Sequence, residues 1–433
     1  IMPGDVIKVE LVYSEMLVPE EGMYSFVYPT VVGPRYSETS AAGAPDTEKW
    51  VESPYLHSGE KPTYEFDMDV HLATGIPIKK IACSSHDVKV DYQGEKTVDI
   101  SLSPGENDGG NRDFILKYVL AENQIETGLM LYEGEDENFF TATVQPPERV
   151  ETDMIPPREY IFIVDVSGSM HGFPLDISKK LMSHLLGSLR PKDRFNIVFF
   201  AGGSFTLSQK SLPATQQNVN KAIQAVNRQR GGGGTRLLEA LNTAYDLPRI
   251  DENVSRTVVL ATDGYVSVEQ EAFDMIKDNL GNTNVFGFGI GSSVNRYLIR
   301  GMAKCGDGEE FVITKPAEAP GAAGRFEEYI SAPLLTGINV DFRGFDAYDV
   351  EPTTYPDIFA ERPLVITGKY RGEARGSIRI TGHTGKGRFR KSLRVGEEEP
   401  AESNEPLKYV WVRKRIARLS DYVGKSRMKE NKE

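Results

Sequence analysis

The sequence predicts a multidomain chain in which an α/β, doubly wound (Rossmann-like) domain is inserted in an all-β sandwich. Three observations predict it. From Tyr160 onwards short apolar runs alternate with segments of helical period, the pattern of a mainly parallel sheet covered by helices on both faces. On either side of that stretch, runs of period two separated by Gly-, Asn- and Asp-rich turns read as strands alone. The 433 residues also exceed what one core usually organises, so two or three domains are expected.

The elements follow in order. "DVIKVELVYSEML" and "MYSFVYP" predict a hairpin across the polar turn at Pro19 to Gly22, giving a first segment of residues 1–36. Ser37 to Ser58 reads as a loop, and the strands "TYEFDMDVHL", "KTVDISL", "DFILKYVL" and "FFTATVQPP" follow it. Residues 157–333 form the α/β domain, with strands "YIFIVDV", "RFNIVFFA", "TVVLATDG" and "VFGFGIG". Its helices are expected at Leu175–Leu189, Asn218–Arg228, Arg236–Leu247, Glu269–Leu280 and Val294–Lys304. After Pro333 the strands "GINVDFRGF", "PLVITGKYRG", "ARGSIRITGHTG" and "GRFRKSLRV" return, so the sandwich is expected from residues 37–156 plus 334–400. Residues 401–433 hold an amphipathic helix, "LKYVWVRKRIARLSDYV", and a basic tail.

Composition excludes several functions. With 63 Asp plus Glu against 50 Lys plus Arg, the net charge of -13 disfavours a phosphate backbone, so no nucleic acid is expected as partner. No apolar run approaches the ~18 to 20 residues that cross a bilayer, so no membrane contact is expected of this stretch. Cys83 and Cys305 are the only cysteines, too few for a disulfide framework or a thiolate zinc site. The six histidines form no HExxH. Gly424-Lys425-Ser426 has Leu419 where a phosphate-binding loop needs its first glycine. "VSGSM" lacks the Gly that a serine nucleophile elbow places two residues before the Ser. No acid and base pair or cofactor loop is left, so the chain is read as no enzyme, with no catalytic residue. The opening at Ile1, without a basic or apolar leader, is read as a segment of a longer protein.

The positive signal lies in "YIFIVDVSGSMHG". A continuous apolar run, buried on both faces if it is a strand, ends in Asp165, and Ser167 and Ser169 follow within a tight turn. Three oxygens at one strand end suit a hard cation. "RGGGGTRLLEAL" places Thr235 between four glycines and a helix, and "VVLATDG" places Asp263 at the end of another apolar strand. In a parallel sheet all three stretches share one edge, where ligands of such folds bind. Asp165, Ser167, Ser169, Thr235 and Asp263 can therefore converge as metal ligands. That edge is expected to lie outside the core.

Asp165-Val166-Ser167-Gly168-Ser169, Thr235 and Asp263-Gly264 together resemble the metal-ion-dependent adhesion site of von Willebrand factor A domains. "GFGIGSSVNRYLIRGMAKCGDGEEFVI", "PGDVIKVELVY", "GMYSFVYPTVVGPRY" and "YVWVRKRIARL" resemble one subgroup, the inter-alpha-trypsin inhibitor heavy chains and their bacterial relatives. The resemblance implies that residues 1–36 are the end of a VIT domain and that the β-sandwich is hybrid-like. It implies Mg²⁺ as the ion, with Mn²⁺ or Ca²⁺ as alternatives, and Asp165 and Asp263 acting partly through water. It implies cell adhesion: a protein or extracellular-matrix ligand offering a carboxylate, met outside the cytoplasm, in a cell envelope, in the periplasm or as a secreted protein. Two other readings stand beside it, a structural envelope domain with a stabilising metal and a regulatory A domain assisting an ATPase or chelatase partner.

Overall fold

A computed structural model describes residues 6–13, 15–20, 22–30, 65–106, 109–148, 154–251, 254–281, 283–331, 333–359 and 362–420. The chain divides into two units, residues 1–130 with 142–149, and residues 131–141 with 150–433. In the first unit β1 (Met23–Tyr28), β6 (Phe114–Val119) and β3 (Lys80–Cys83) form one antiparallel sheet in that order. A second antiparallel sheet is ordered β2 (Asp69–Ala73), β5 (Thr97–Leu102), β4 (Val88–Tyr92). Alternation explains the faces: Val98 and Ile100 of β5 are buried with Phe114 and Leu116 of β6, while Asp99 and Ile115 between them are only half-buried. Tyr24 stacks on Tyr118 at 4.9 Å and donates its hydroxyl to Gln145 Oε1 at 2.5 Å.

Two expectations change here. Residues 6–13 form no strand, and Val6, Val9, Leu11 and Val12 are exposed, while β1 pairs with β6 instead of closing a hairpin with them. Period two marks a segment as competent for a strand but does not choose its neighbour; Tyr24 and Phe26 pack with Tyr118 and Phe114, and that packing sets the register. The amino-terminal β region is also divided. Of the paired strands β7 (Glu126–Glu133) and β8 (Asn138–Gln145), only residues 131–141 count with the second unit, in the sheet ordered β17 (Asp346–Glu351), β19 (Leu364–Arg371), β8, β7. The loop expected at Ser37 to Ser58 and the basic tail lie outside the described residues.

The second unit is built on a mostly parallel sheet. Its main strands are β9 (Glu159–Asp165), β10 (Arg194–Phe200), β13 (Arg256–Thr262), β14 (Thr283–Ile290) and β15 (Glu310–Ile313). Two short antiparallel pieces, β11 (Ser204–Thr206) and β12 (Leu212–Pro213), pair with β10. The order β11-β10-β9-β13-β14-β15 means that the chain leaves β9 to one side and returns to start β13 on the other, a switch point between these two strands. Every residue of β9 is buried. Tyr160, Phe162 and Val164 face α1 (Phe173–Gly187), α2 (Gln216–Asn227) and α6 (Ala319–Ser331). Ile161 and Ile163 face α3 (Leu237–Tyr245), α4 (Glu269–Asp278) and α5 (Arg296–Cys305). Burying one such side chain is worth ~1.5 to 3 kcal/mol, so the continuous apolar run commits the strand to the centre. Side chains cap two helices, Thr215 accepting from Asn218 N and Asn295 from Leu298 N.

After α6 come β16 (Pro333–Arg343), β18 (Ile358–Phe359), β20 (Ser377–Thr384) and β21 (Gly387–Arg394), one sheet in the order β18-β16-β20-β21. Phe140 of β8 meets Phe342 and Phe345 at 5.8 and 5.2 Å. The expected last helix is α7 (Pro406–Ser420). It is fixed to β17 and β19 by polar groups: Trp411 Nε1 donates to Asp349 O at 2.7 Å, Lys369 Nζ sits 4.1 Å above the indole, and Arg415 and Arg418 both reach buried Glu351.

Candidate functional site

The carboxyl ends of β9 and β13 stand side by side at the switch point, and the loops after them make the site. Asp165 ends β9 fully buried. Its Oδ1 accepts from Ser167 N at 2.8 Å and its Oδ2 from Thr262 Oγ1 at 2.6 Å. Ser167 is fully buried too, and its Oγ lies 3.1 Å from Ser169 Oγ, which is exposed at the mouth. The turn leads straight into α1, with Leu175 N donating to Met170 O and Asp176 N to Gly172 O. The expectation that the site lies outside the core is therefore corrected. Only its mouth is on the surface, because the apolar strand carries Asp165 to its last buried position.

Asp263 follows β13 and is 8% exposed, with Oδ1 accepting from Tyr265 N at 3.1 Å. The glycine loop reaches the same turn through its backbone. Gly232 N donates to Val166 O at 2.9 Å, Gly168 N donates to Gly233 O at 3.0 Å, and Arg236 N donates to Ala201 O at 2.8 Å. Gly231 and Gly233 have φ of 71° and 85°, and a methyl group on Gly231 would stand 3.5 Å from Ser167 O. Glycine lets the loop cross that closely, and half-buried Thr235 follows the glycines. Among the described residues, Asp165, Ser167 and Ser169 are joined by hydrogen bonds, Asp263 adjoins them through Thr262, and no hydrogen bond ties Thr235 directly to the other four.

Electrostatics set this end of the sheet apart. Burial pushes the Asp165 carboxyl above the usual carboxylate range, hydrogen bonds from Ser167 and Thr262 pull it down, and the charge of Asp263 raises it further. Among the described residues no arginine, lysine or histidine bonds to either carboxylate. At the other end of the same strands, buried Glu159 is paired with Arg256 at 2.8 Å. Buried Asp357 accepts from Ser255 Oγ, from Asn284 Nδ2 at 2.9 Å and from Gly337 N at 3.3 Å, with Arg158 Nη2 at 4.0 Å.

The donors at the carboxyl end are two carboxylates and three hydroxyls, all oxygen, which is the chemistry of a hard divalent cation. Among the described residues no group of three His, Cys, Asp or Glu side chains comes together, so hydroxyls are an essential part of any such set. Thr262 was missed in the sequence. Its hydroxyl donates to Asp165 and accepts from Gly264 N at 3.0 Å, fixing both acidic turns, and its place just before Asp263 was the only signal.

Residues 158–310 match the von Willebrand factor type A domain family. The chain is 26% identical over 324 residues to a von Willebrand factor A domain-containing protein of Dictyostelium discoideum, covering 72% of this chain and 35% of that protein. It is 24% identical over 287 residues to inter-alpha-trypsin inhibitor heavy chain H3 of Homo sapiens, covering 63% and 31%. The chain thus spans about a third of the length of the curated relatives it matches. Among solved structures it resembles a von Willebrand factor type A protein from Catenulispora acidiphila, with 15% identity, a TM-score of 0.47 and coverage of 63% of this chain and 74% of that one. An ArnB paralog from Sulfolobus acidocaldarius gives 15% identity and a TM-score of 0.48, over 68% and 83%.

Proposed function

We propose that this chain, which carries a von Willebrand factor type A domain at residues 158–310, is a metal-dependent adhesion or protein-binding module and not an enzyme. The observation that supports it most is the contrast of charge: two acidic side chains, one wholly buried, are held at the switch point by hydroxyls and amides alone. A buried carboxylate without a counter-charge is costly, and a divalent cation supplies the missing charge. Ser167, Ser169, Thr235, Asp165 and Asp263 would hold Mg²⁺, the latter two partly through water; Mn²⁺ or Ca²⁺ fits the same oxygen set. When bound, the ion supplies a positive centre that an incoming Asp or Glu can bond to.

The protein's own residues do the rest. Thr262 orients Asp165, the glycine loop presents Thr235, and exposed Ser169 leaves the mouth open to a partner. An extracytoplasmic setting, in a cell envelope, in the periplasm or secreted, suits such a module; no described helix is long and apolar enough to cross a membrane.

A second reading is favoured by the depth of Asp165: a metal there could serve stability alone. Binding to an immobilised acidic peptide, with Mg²⁺ or EDTA, separates the two. Adhesion requires that wild type binds only with Mg²⁺ and that Asp165→Asn neither binds nor gains melting temperature from Mg²⁺. Peptide binding that survives EDTA sinks the mechanism, and a melting shift without any binding selects the stabilising role.

A further inference from the structure

We propose that the mouth of this site is built for a protein segment with clustered Asp and Glu, one carboxylate going to the cation and a neighbouring one to an arginine collar on the glycine loop. The inference rests on the metal reading above and deepens it. In a chain with thirteen more acidic than basic charges, "NRQRGGGGTR" places Arg228, Arg230 and Arg236 within nine residues around the glycines. Arg228 caps the end of α2, and both it and Arg230 are exposed. Among the described residues neither forms an ion pair.

Arg230 immediately precedes the glycines that meet the acidic turn, where Gly232 N donates to Val166 O and Gly233 O accepts from Gly168 N. A methyl group on the next residue, Gly231, would stand 3.5 Å from Ser167 O and 3.6 Å from His171 Cα. On the far side of the loop, Arg236 follows Thr235 and is 67% exposed, its Nη1 3.3 Å from Glu239 Oε2. Neither Arg230 nor Arg236 bonds to Asp165 or Asp263, so the collar leaves the cation's role open. Beside Asp263 the surface is aromatic instead: Tyr265, whose N donates to Asp263 Oδ1, is 77% exposed.

The chemistry follows from reach. Neighbouring residues of an extended peptide are 3.8 Å apart at Cα, so a second acidic side chain falls within the sweep of a long arginine when the first is anchored. Guanidinium binds carboxylate through two parallel N–H donors, which a lone cation at the site cannot imitate. A partner with one acid meets only the metal; a partner with two or three adjacent acids meets both.

The test compares two peptides of equal length, one with a single Asp and one with Asp-Glu-Asp, on wild type and on Arg228→Gln/Arg230→Gln, with Mg²⁺ or EDTA. The expected result is tenfold or greater preference of wild type for the triple-acid peptide, steeply reduced by salt. The double variant should lose that preference while keeping the Mg²⁺-induced melting shift. Equal affinity of wild type for both peptides, or an unchanged preference in the variant, overturns the collar and leaves the metal reading. Preference that persists in EDTA but vanishes in the variant keeps the collar and sinks the metal reading, and no binding of either peptide sinks both. A sulfated oligosaccharide that displaces the triple-acid peptide at lower concentration than free peptide does overturns the choice of a protein partner.

Discussion

The two ends of the central sheet bury acidic groups under opposite rules. At the amino-terminal end Glu159 has Arg256, Asp193 has Arg190 at 2.8 Å, and Asp357 has Arg158 within 4.0 Å, its guanidinium also lying 4.6 Å from the Phe359 ring. At the carboxyl end Asp165 and Asp263 have hydroxyls and amides only. The strands are the same and the burial is comparable, so the difference is one of purpose. A closed ion pair is finished when the chain folds, and an acid with neutral donors is finished only by something that arrives later.

Breaking the closed end should cost most. Arg256→Met leaves Glu159 buried beside Ser211 alone, and the loss should be ~3 to 5 kcal/mol in urea unfolding. Asp165→Asn, measured in EDTA, should cost far less or even stabilise, because it removes a charge that lacks a partner. Similar losses for both would erase the distinction between the two ends. Next in size is the metal increment: at Mg²⁺ about 100-fold above its Kd, wild type should gain about 2.7 kcal/mol. Arg256→Met should keep that gain and Asp165→Asn should lose it, as read by chemical unfolding with and without the ion.

Thr262→Val should sharpen the contrast further, costing ~1 to 3 kcal/mol, since Asp165 then loses its 2.6 Å donor within the core. A pH-dependent effect belongs to Asp307, near the closed end, pushed up to about 7 by burial and by the charge of Asp357 against a hydrogen bond from Thr354. A carboxyl raised in the folded state contributes stability that is complete below its ordinary value of 3.8 and is lost as pH rises through about 7. In EDTA, the melting temperature of wild type should therefore fall relative to Asp307→Asn between those limits. Asn suits the left-handed backbone there, φ 51°, so parallel curves would mean that Asp307 does not titrate in this range.

Much of this was legible. The run from Tyr160 to Val164 is apolar on both faces because both faces are covered, and periodicity located α1 to α5 within a few residues. Asp165 and Asp263 could be assigned to one edge because β9 and β13 are parallel neighbours. What stayed hidden depends on contacts distant in sequence. Nothing near Arg158 announces Asp357, and nothing in residues 6–13 says that β1 will prefer β6. Short β11, β12 and β18 carry too few residues for a period, and Thr262 looked like one more strand residue.

Asp357 and Phe359 fasten the β region after α6 to the parallel sheet. They lie between β17 and β19, yet Asp357 is bonded to Ser255 and Asn284 beneath the parallel sheet, and Phe359 packs against Phe286 at 6.0 Å. Tension between a partner gripped at the carboxyl end and the β region after α6 would thus pass along β13 and β14 and leave at a second fastening, besides the covalent link into β16. The load path runs parallel to strands sheared against their neighbours, the direction in which a sheet resists extension best. Loosening that fastening with Asp357→Ala, which leaves the Phe359 contact with Phe286, should shift the pull towards α6 and lower the force at which the domain yields in single-molecule extension.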